Sequence, residues 1–197
     1  MAKDGAVVPA SRFTRPGGVG AAVGDQVDEA AVARLFADGT TIVLQALHHT
    51  WPPLARFCRA LEAELGSGVQ ANSYYTPRRS QGFAVHHDTH DVFVLQVAGE
   101  KDWRVYEPLL ELPLKAQRWS SSLGEPGPTV LDLTLRAGDT LYLPRGWLHD
   151  ALTSLFGGGD GAWAASLRAA VLLGDKTAER VELLEALRAE NLGRTGR

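Results

Sequence analysis

The stretch QGFAVHHD, residues 81–88, decides the interpretation of this 197-residue chain. Side chains alternate between the two faces of a β-strand, so His86 and Asp88 are expected to point to the same side. A distant histidine, His149, can then complete two imidazoles and one carboxylate on one face of a metal ion. This ligand set leaves coordination positions open and suits non-haem Fe(II) and oxygen chemistry. The sequence therefore predicts these three residues as metal ligands and as the catalytic centre.

Two neighbouring histidines compete for the ligand role, and two more histidines lie earlier in the chain. His87 has the opposite parity on a strand and is expected to point away from the metal. His90 has the right parity, but three successive same-face positions spread over roughly 13 Å, too far for one ion. We therefore interpret His90 as pocket lining or plain surface. His48 and His49 precede a predicted helix and are expected to be exposed to solvent.

Bulk composition limits the class of protein. With 45% hydrophobic residues, the chain can bury one substantial core. The net charge of −3, without a long basic block, gives no signal for direct nucleic-acid binding. No apolar run approaches the ~20 residues that span a bilayer, and the N-terminus lacks an apolar signal core. A cytoplasmic protein is the expectation. The single cysteine, Cys58, excludes a disulfide framework and is predicted to be a buried structural thiol.

Two helices are predicted in the first third of the chain. Asp28 can cap a helix over residues 29–37, and Gly39 is its expected stop. Thr50, followed by Trp-Pro-Pro, starts a second helix, because proline is tolerated in a first turn. Gly66 is the expected end of this second helix.

Beyond the second helix the sequence changes to short strands with glycine and proline turns. The predicted strands are Thr40–Ala46, Val69–Tyr75, Val92–Val97, Trp103–Tyr106, Thr129–Leu135, Thr140–Leu143 and Ala162–Leu173. Residues 120–128 are predicted to be a flexible connection. Many short strands with such turns favour an antiparallel barrel or jelly roll. The predicted fold class is mainly β with flanking helices, a cupin-type double-stranded β-helix that carries His86 and Asp88 on one strand and His149 on another.

A series of short motifs makes the interpretation more specific. The motifs are NSYYTP (72–77), SQGF (80–83), HHD (86–88), DVFVLQ (91–96), GEKDWRVY (99–106) and the segment 138–149. With these motifs, residues 40–170 resemble the JmjC-type ribosomal oxygenases of the cupin superfamily, both the bacterial members and their human nucleolar relatives. The resemblance implies a protein hydroxylase that uses Fe(II), 2-oxoglutarate as co-substrate and O2.

The resemblance also assigns four pocket residues. Lys101 matches the cation that binds the distal carboxylate of 2-oxoglutarate, and a lysine that faces a barrel interior needs such an anion. Tyr74 and Ser166 match positions that hydrogen-bond the same carboxylate, and Asn72 matches a further pocket position. In this family the substrates are arginine or histidine residues of ribosomal proteins, so a protein substrate is the implied partner.

Five more residues lie within the motifs that carry the resemblance. Four aromatic residues match the family, but a place in the barrel core explains them better: Phe93, Trp103, Tyr106 and Tyr142. Arg145 lies in the bend before His149 and is open to either a substrate contact or a structural role.

The chain departs from the family in having less sequence before His86 and after His149. Residues 1–25 are interpreted as an extended lead-in, 26–173 as the JmjC catalytic domain, and 174–197 as a C-terminal helix. The charged pattern of residues 177–191 predicts that helix, which we interpret as a remnant of a dimerisation region, with a homodimer as one expectation. A minimal member and a truncated form are both open.

Three functions remain open from the sequence. The first is a protein hydroxylase with Fe(II) and 2-oxoglutarate. The second is an oxygenase with the same cofactors that acts on a small molecule or on methyl-lysine. The third is a non-catalytic cupin-like binding module. The complete triad together with Lys101 argues against the third function, whereas the shortened ends favour it.

Overall fold

The computed structural model describes residues 1–153 and 163–172. The strands within them are β1 (Ala2–Lys3), β2 (Ala6–Val7), β3 (Thr14–Arg15), β4 (Gln26–Val27), β5 (Ile42–Leu44), β6 (Gly68–Pro77), β7 (Asp91–Ala98), β8 (Lys101–Tyr106), β9 (Thr129–Leu135), β10 (Thr140–Leu143), β11 (Leu148–Thr153) and β12 (Trp163–Leu172). Short 3-10 turns occupy Ala10–Arg12, Leu47–His49 and Ser121–Leu123. The helix predicted over residues 177–191 lies outside the described residues.

Two α-helices, α1 (Glu29–Ala37) and α2 (Pro52–Leu65), have the predicted positions. The Asp28 carboxylate caps α1 by accepting a hydrogen bond from the backbone N–H of Ala31, 3.0 Å away. Helix α2 starts at its two prolines and ends at Gly66, which adopts the left-handed conformation with a φ of 60°. Neither helix of the described part of the chain is long and apolar enough to cross a membrane.

Two antiparallel sheets form the barrel. The larger sheet has the strand order β10-β7-β12-β6-β5, and the smaller sheet has the order β11-β8-β9. A single bridge between His86 and His149 adds a further chain segment to the smaller sheet beside β11. Without the short edge strand β5, each of the two sheets thus contains four chain segments. This is a double-stranded β-helix, so the predicted fold class is confirmed.

The main core lies between the two sheets. Its buried side chains come from both sheets and are Val92, Val94, Trp103, Val105, Leu135 and Leu143. A second cluster covers the outer face of the larger sheet, where Leu54 and Cys58 of α2 pack against Val69, Ala71 and Ala169. Cys58 is only 2% exposed, so the prediction of a buried thiol is confirmed. Burial of a leucine such as Leu54 contributes about 1.5–3 kcal/mol, which anchors α2 to the sheet.

The N-terminal segment forms short paired strands against the barrel. Strand β1 pairs with β2, and β3 pairs with β4. Ala2 is buried and exchanges two backbone hydrogen bonds of 3.0 and 2.8 Å with Thr41. The β3–β4 pairing joins residues on both sides of the boundary expected at residue 25. The N-terminal segment is therefore anchored to the barrel at Ala2. The domain boundaries expected from the sequence, after residues 25 and 173, stay predictions.

Three expectations for the β region need correction. The buried strand expected over Thr40–Ala46 is the shorter edge strand Ile42–Leu44, which is partly exposed. Strand β11 was not predicted, because polar residues interrupt its sequence and it forms through pairing with β8. His86 and Asp88 do not lie on a regular strand. They lie in an irregular segment before β7, which the bridge from His86 attaches to β11.

Candidate metal centre

Backbone contacts bring the predicted triad together. His86 and His149 form the bridge, in which the N–H of each donates to the carbonyl of the other over 3.1 and 2.9 Å. The N–H of Gly146 donates to the carbonyl of Asp88 over 3.0 Å. Backbone hydrogen bonds from the start of β11 and from the bend before it thus hold His86 and Asp88 in place.

Gly146 makes the contact with Asp88 possible. Its φ is +89°, and a Cβ at this position would lie 2.6 Å from the Leu110 carbonyl oxygen and 2.7 Å from Pro113 Cδ. Glycine alone accepts both the backbone conformation and the close approach of this loop. The Pro-Arg-Gly bend therefore has a defined role, since it sets the distance between β11 and the segment that carries Asp88.

The side chains of His86, Asp88 and His149 converge on one point. One possible ligand atom from each residue lies within 4.8 Å of the others. His149 Nε2 is 3.8 Å from Asp88 Oδ2, and the two imidazole centroids are 4.5 Å apart. Imidazole and carboxylate ligands lie about 2.0–2.2 Å from a first-row ion, so small side-chain adjustments bring all three donors onto one ion.

Hydrogen bonds determine which imidazole nitrogens are available. His86 Nδ1 lies 2.8 Å from the Ala84 carbonyl oxygen, and His149 Nδ1 lies 3.0 Å from that of Trp147. Each Nδ1 therefore donates a hydrogen, which leaves the lone pair on Nε2. Within the described residues, the buried Nε2 of His149 has no hydrogen-bond partner. An oriented, unpaired lone pair of this kind fits a metal ion.

Local electrostatics favours the protonation states that bind metal. Burial lowers the pKa of His149 to about 3 and also lowers the pKa of His86. Burial acts to raise the pKa of Asp88, but the neighbouring positive charges, that of Arg168 among them, outweigh burial and lower that pKa. Two neutral imidazoles and one ionised carboxylate are the forms that ligate a divalent cation near neutral pH.

His87 and His90 lie outside the triad. His87 is buried, its Nε2 lies 3.1 Å from the Gln117 carbonyl oxygen, and its ring meets the ring of Trp119 edge to face. It therefore points away from the triad, as its parity predicts. His90 lines an open pocket beside Asp88, which agrees with the expected pocket position.

The expectation for His48 is wrong. His48 is half-buried, and its Nδ1 accepts a hydrogen bond of 3.3 Å from the backbone N–H of Ala71 on β6. The 3-10 turn Leu47–His49 lies against β6, a tertiary contact that local sequence does not reveal. His49 is exposed, as predicted.

A narrow pocket lies beside the triad. Residues that line it include Tyr74, Phe83, His86, Lys101 and Arg168. Lys101 is 5% exposed, and in the described part of the chain it makes no ion pair. Burial, with a smaller effect of Arg168, lowers the pKa of Lys101 to about 7. A buried cation without a counter-ion indicates an anionic ligand, which agrees with the assignment from the sequence.

Ser166 and Asn72 are engaged in hydrogen bonds within the protein. Ser166 is fully buried, and its hydroxyl donates to Gln96 Oε1 over 2.9 Å. Asn72 Oδ1 accepts a hydrogen bond from the Ala46 backbone N–H over 2.9 Å. Neither residue lines the pocket of Lys101, so their co-substrate roles stay predictions, whereas Tyr74 does line it.

Sequence reasoning missed Arg168. Its guanidinium carbon lies 4.5 Å from the centroid of the Tyr74 ring and 5.2 Å from that of the Trp103 ring. Its Nε is buried and has no hydrogen-bond partner among the described residues. Arg168 follows Ser166 by two residues on β12, so both face the barrel interior. Arg168 is a charged residue in a largely apolar strand, and it lies on the same face as Ser166. This sequence pattern could have identified it.

The aromatic residues have mixed positions. Trp103 is fully buried and stacks on His149, with centroids 5.9 Å apart and an interplanar angle of 29°. Tyr106 is also buried, so the core prediction is confirmed for these two. Phe93 and Tyr142 are half-buried, and their ring centroids lie 5.0 Å apart. Trp103 thus adds an apolar wall to the metal centre as well as filling the core.

Arg145 has a structural contact through its backbone. Its N–H donates to Asp91 Oδ1 over 3.0 Å, and the Tyr142 hydroxyl donates to the same oxygen over 3.2 Å. Burial raises the pKa of Asp91. These bonds attach the bend before β11 to the start of β7. A substrate contact by the Arg145 side chain stays a prediction.

The fold and the converging side chains define a double-stranded β-helix protein with a candidate metal centre. Within this class, residues 45–157, more than half of the chain, match the JmjC domain. The chain belongs to the JmjC domain family.

Known proteins agree with this assignment. The bifunctional lysine-specific demethylase and histidyl-hydroxylase NO66 of Drosophila persimilis is 46% identical over 100 residues, which are 51% of this chain and 14% of that protein. Ribosomal oxygenase 1 of Gallus gallus is 44% identical over 97 residues, which are 48% of this chain and 16% of that protein. The chain therefore matches less than a fifth of the length of either relative. The resemblance to ribosomal oxygenases is confirmed for this part of the chain.

A solved structure shows the same fold. YcfD, a ribosomal oxygenase from Escherichia coli, in complex with cobalt and 2-oxoglutarate, has a TM-score of 0.52. The match has 23% sequence identity and covers 79% of this chain and 37% of that chain.

Proposed function

We propose that the chain is an oxygenase that depends on Fe(II) and 2-oxoglutarate and hydroxylates a protein side chain. The observation that carries the proposal is the convergence of His86, Asp88 and His149 beside the pocket that contains Lys101. This ligand set leaves positions for a chelating co-substrate and O2. His86 lines the same pocket as Lys101, which places the proposed metal and the cation at one site. The YcfD complex with cobalt and 2-oxoglutarate supports this choice of co-substrate.

The residues of the chain would position the reactants. Bound iron, 2-oxoglutarate and O2 supply the oxidising chemistry. The Nδ1 hydrogen bonds of His86 and His149 fix the ring orientations. Trp103 covers one face of His149 and keeps water from that side. Lys101 provides a positive charge for the distal carboxylate of 2-oxoglutarate, in surroundings that strengthen a charge-assisted hydrogen bond.

An arginine or histidine of a ribosomal protein is the proposed substrate. The names of the relatives, histidyl-hydroxylase and ribosomal oxygenase, support this class. A second, open pocket of about 640 Å³ has Asp88 in its lining, and we propose it as the place where the substrate side chain enters. Its lining includes Gln70, His90, Lys115, Arg118 and Trp119. The homodimer and the cytoplasmic location stay predictions.

Removal of a methyl group from lysine is a second candidate. The relative from Drosophila persimilis carries both lysine-specific demethylase and histidyl-hydroxylase in its name. The products differ in mass, because hydroxylation adds one oxygen atom and demethylation removes one methylene.

The test is turnover on ribosomal proteins, followed by mass spectrometry of the peptides. We expect the gain of one oxygen on an arginine or histidine, dependent on Fe(II), 2-oxoglutarate and O2. His149→Ala is expected to abolish the gain, while His49→Ala, the same change at an exposed histidine, retains it. Full activity of His149→Ala would contradict the triad, and loss of a methylene would favour the demethylase. A folded protein without 2-oxoglutarate turnover would support a non-catalytic binding module.

A further inference from the structure

The pocket beside the metal centre contains two cations. Lys101 enters from β8 in the smaller sheet, and Arg168 enters from β12 in the larger sheet. Across residues 1–153 and 163–172, neither side chain forms an ion pair. Two positive charges that face one pocket repel each other, and the charge of Arg168 contributes to the lowered pKa of Lys101. An anion between them would relieve both the repulsion and the burial of unpaired charge.

Among the described residues, two aromatic rings contact the Arg168 guanidinium and no carboxylate forms an ion pair with it. The guanidinium lies over Tyr74 and close to Trp103, at 4.5 and 5.2 Å from the ring centroids. Cation–π contacts orient a guanidinium without using its N–H donors. Its Nε is buried and lacks a hydrogen-bond partner in the described part of the chain. The planar fork of arginine donors matches the geometry of a carboxylate.

We propose that Arg168 is a second anchor for the distal carboxylate of a dicarboxylate co-substrate, which Arg168 and Lys101 hold from opposite sheets. The inference rests on the proposed function and adds a residue that determines specificity for a second carboxylate. The free space in the pocket is about 20 Å³, on the order of one water molecule. Binding of the co-substrate therefore requires the guanidinium to shift from its position over Tyr74, which the flexible stem of arginine allows. The same geometry allows the opposite effect, in which Arg168 only obstructs the pocket.

Calorimetric titration of the Mn(II)-loaded protein separates these effects. The two probes are 2-oxoglutarate and 2-oxopentanoate, which carries a methyl group in place of the distal carboxylate. A hydrogen bond to a charged group corresponds to roughly 10- to 100-fold in Kd. We expect Arg168→Gln to weaken 2-oxoglutarate binding by that factor and to leave 2-oxopentanoate binding unchanged. Arg168→Lys, which keeps the charge but not the fork, should lie between Arg168→Gln and the unaltered chain.

The controls make each outcome decisive. Arg59→Gln removes the same charge from an exposed position of α2 and should bind both probes like the unaltered chain. Retained 2-oxopentanoate binding shows that Arg168→Gln is folded. Unchanged or tighter 2-oxoglutarate binding by Arg168→Gln overturns the inference, and tighter binding identifies an obstruction. Failure of the unaltered chain to bind 2-oxoglutarate is a separate result, which overturns the proposed function itself.

Discussion

Replacement of Lys101 by methionine is expected to make the ligand-free protein more stable. Burial, and secondarily the charge of Arg168, lower the Lys101 pKa from 10.5 to about 7. The unfolded chain holds this proton up to its higher pKa, whereas the folded protein releases it near neutral pH. One pKa unit corresponds to 1.36 kcal/mol, so the shift destabilises the folded state by on the order of 4–5 kcal/mol at and below pH 7.

The stability of the unaltered protein is therefore expected to depend on pH. The unfolded state binds more protons between about pH 7 and 10.5, so the free energy of unfolding rises with pH in this range. Methionine has a similar length and no charge, and Lys101→Met removes both the penalty and this pH dependence. Imperfect packing offsets part of the gain, which leaves a net stabilisation of about 2–4 kcal/mol near pH 7.

Urea unfolding of the metal-free protein at about pH 7 and pH 9 measures both effects. Lys115→Met, at an exposed position, is the matched control and should leave the pH dependence unchanged. The reasoning is refuted if Lys101→Met is less stable than the unaltered protein near pH 7. It is also refuted if the free energy of unfolding rises equally for both proteins between the two pH values. Added 2-oxoglutarate should stabilise the unaltered protein but not Lys101→Met, because the substitution removes a group that binds the co-substrate.

Three further substitutions test the account. Gly146→Ala should lower the free energy of unfolding by about 2–4 kcal/mol, because of its positive φ and the contact with Leu110, and should weaken metal binding through Asp88. An unchanged free energy of unfolding in chemical denaturation, together with unchanged metal affinity in titration, would contradict this role of Gly146. Leu54→Ala should cost about 2–5 kcal/mol in the same denaturation experiment, and a value under 1 kcal/mol contradicts the packing of α2. Asp28→Ala should cost about 1 kcal/mol, and an unchanged midpoint contradicts the cap.

Local signals were sufficient where an element carries its own boundaries. Helix α1 matches its prediction because Asp28 caps it, and α2 does so because prolines start it and Gly66 ends it. Strands β9 and β10 also match, since glycine turns separate short apolar runs. These elements are specified by their own residues, so one sequence is enough to place them.

The remaining features depend on tertiary contacts. Strand β11 exists because it pairs with β8, and its polar residues hide it from a hydrophobicity pattern. The triad residues His86 and Asp88 were placed on one side by strand parity, yet the bridge to His149 and the bond from Gly146 hold them together. The parity of Arg168 on β12 predicts the face on which it lies, but its place in the Lys101 pocket depends on how the two sheets pack.

The central claim is that His86, Asp88 and His149 hold one metal beside a co-substrate pocket. Anaerobic titration of the protein with Fe(II) and 2-oxoglutarate tests it most directly, through the weak visible charge-transfer band of the chelate. The account predicts a band that saturates at one Fe(II) per chain, persists in His49→Ala and disappears in His149→Ala. A full band in His149→Ala, or no band from the folded, unaltered chain, would contradict the claim.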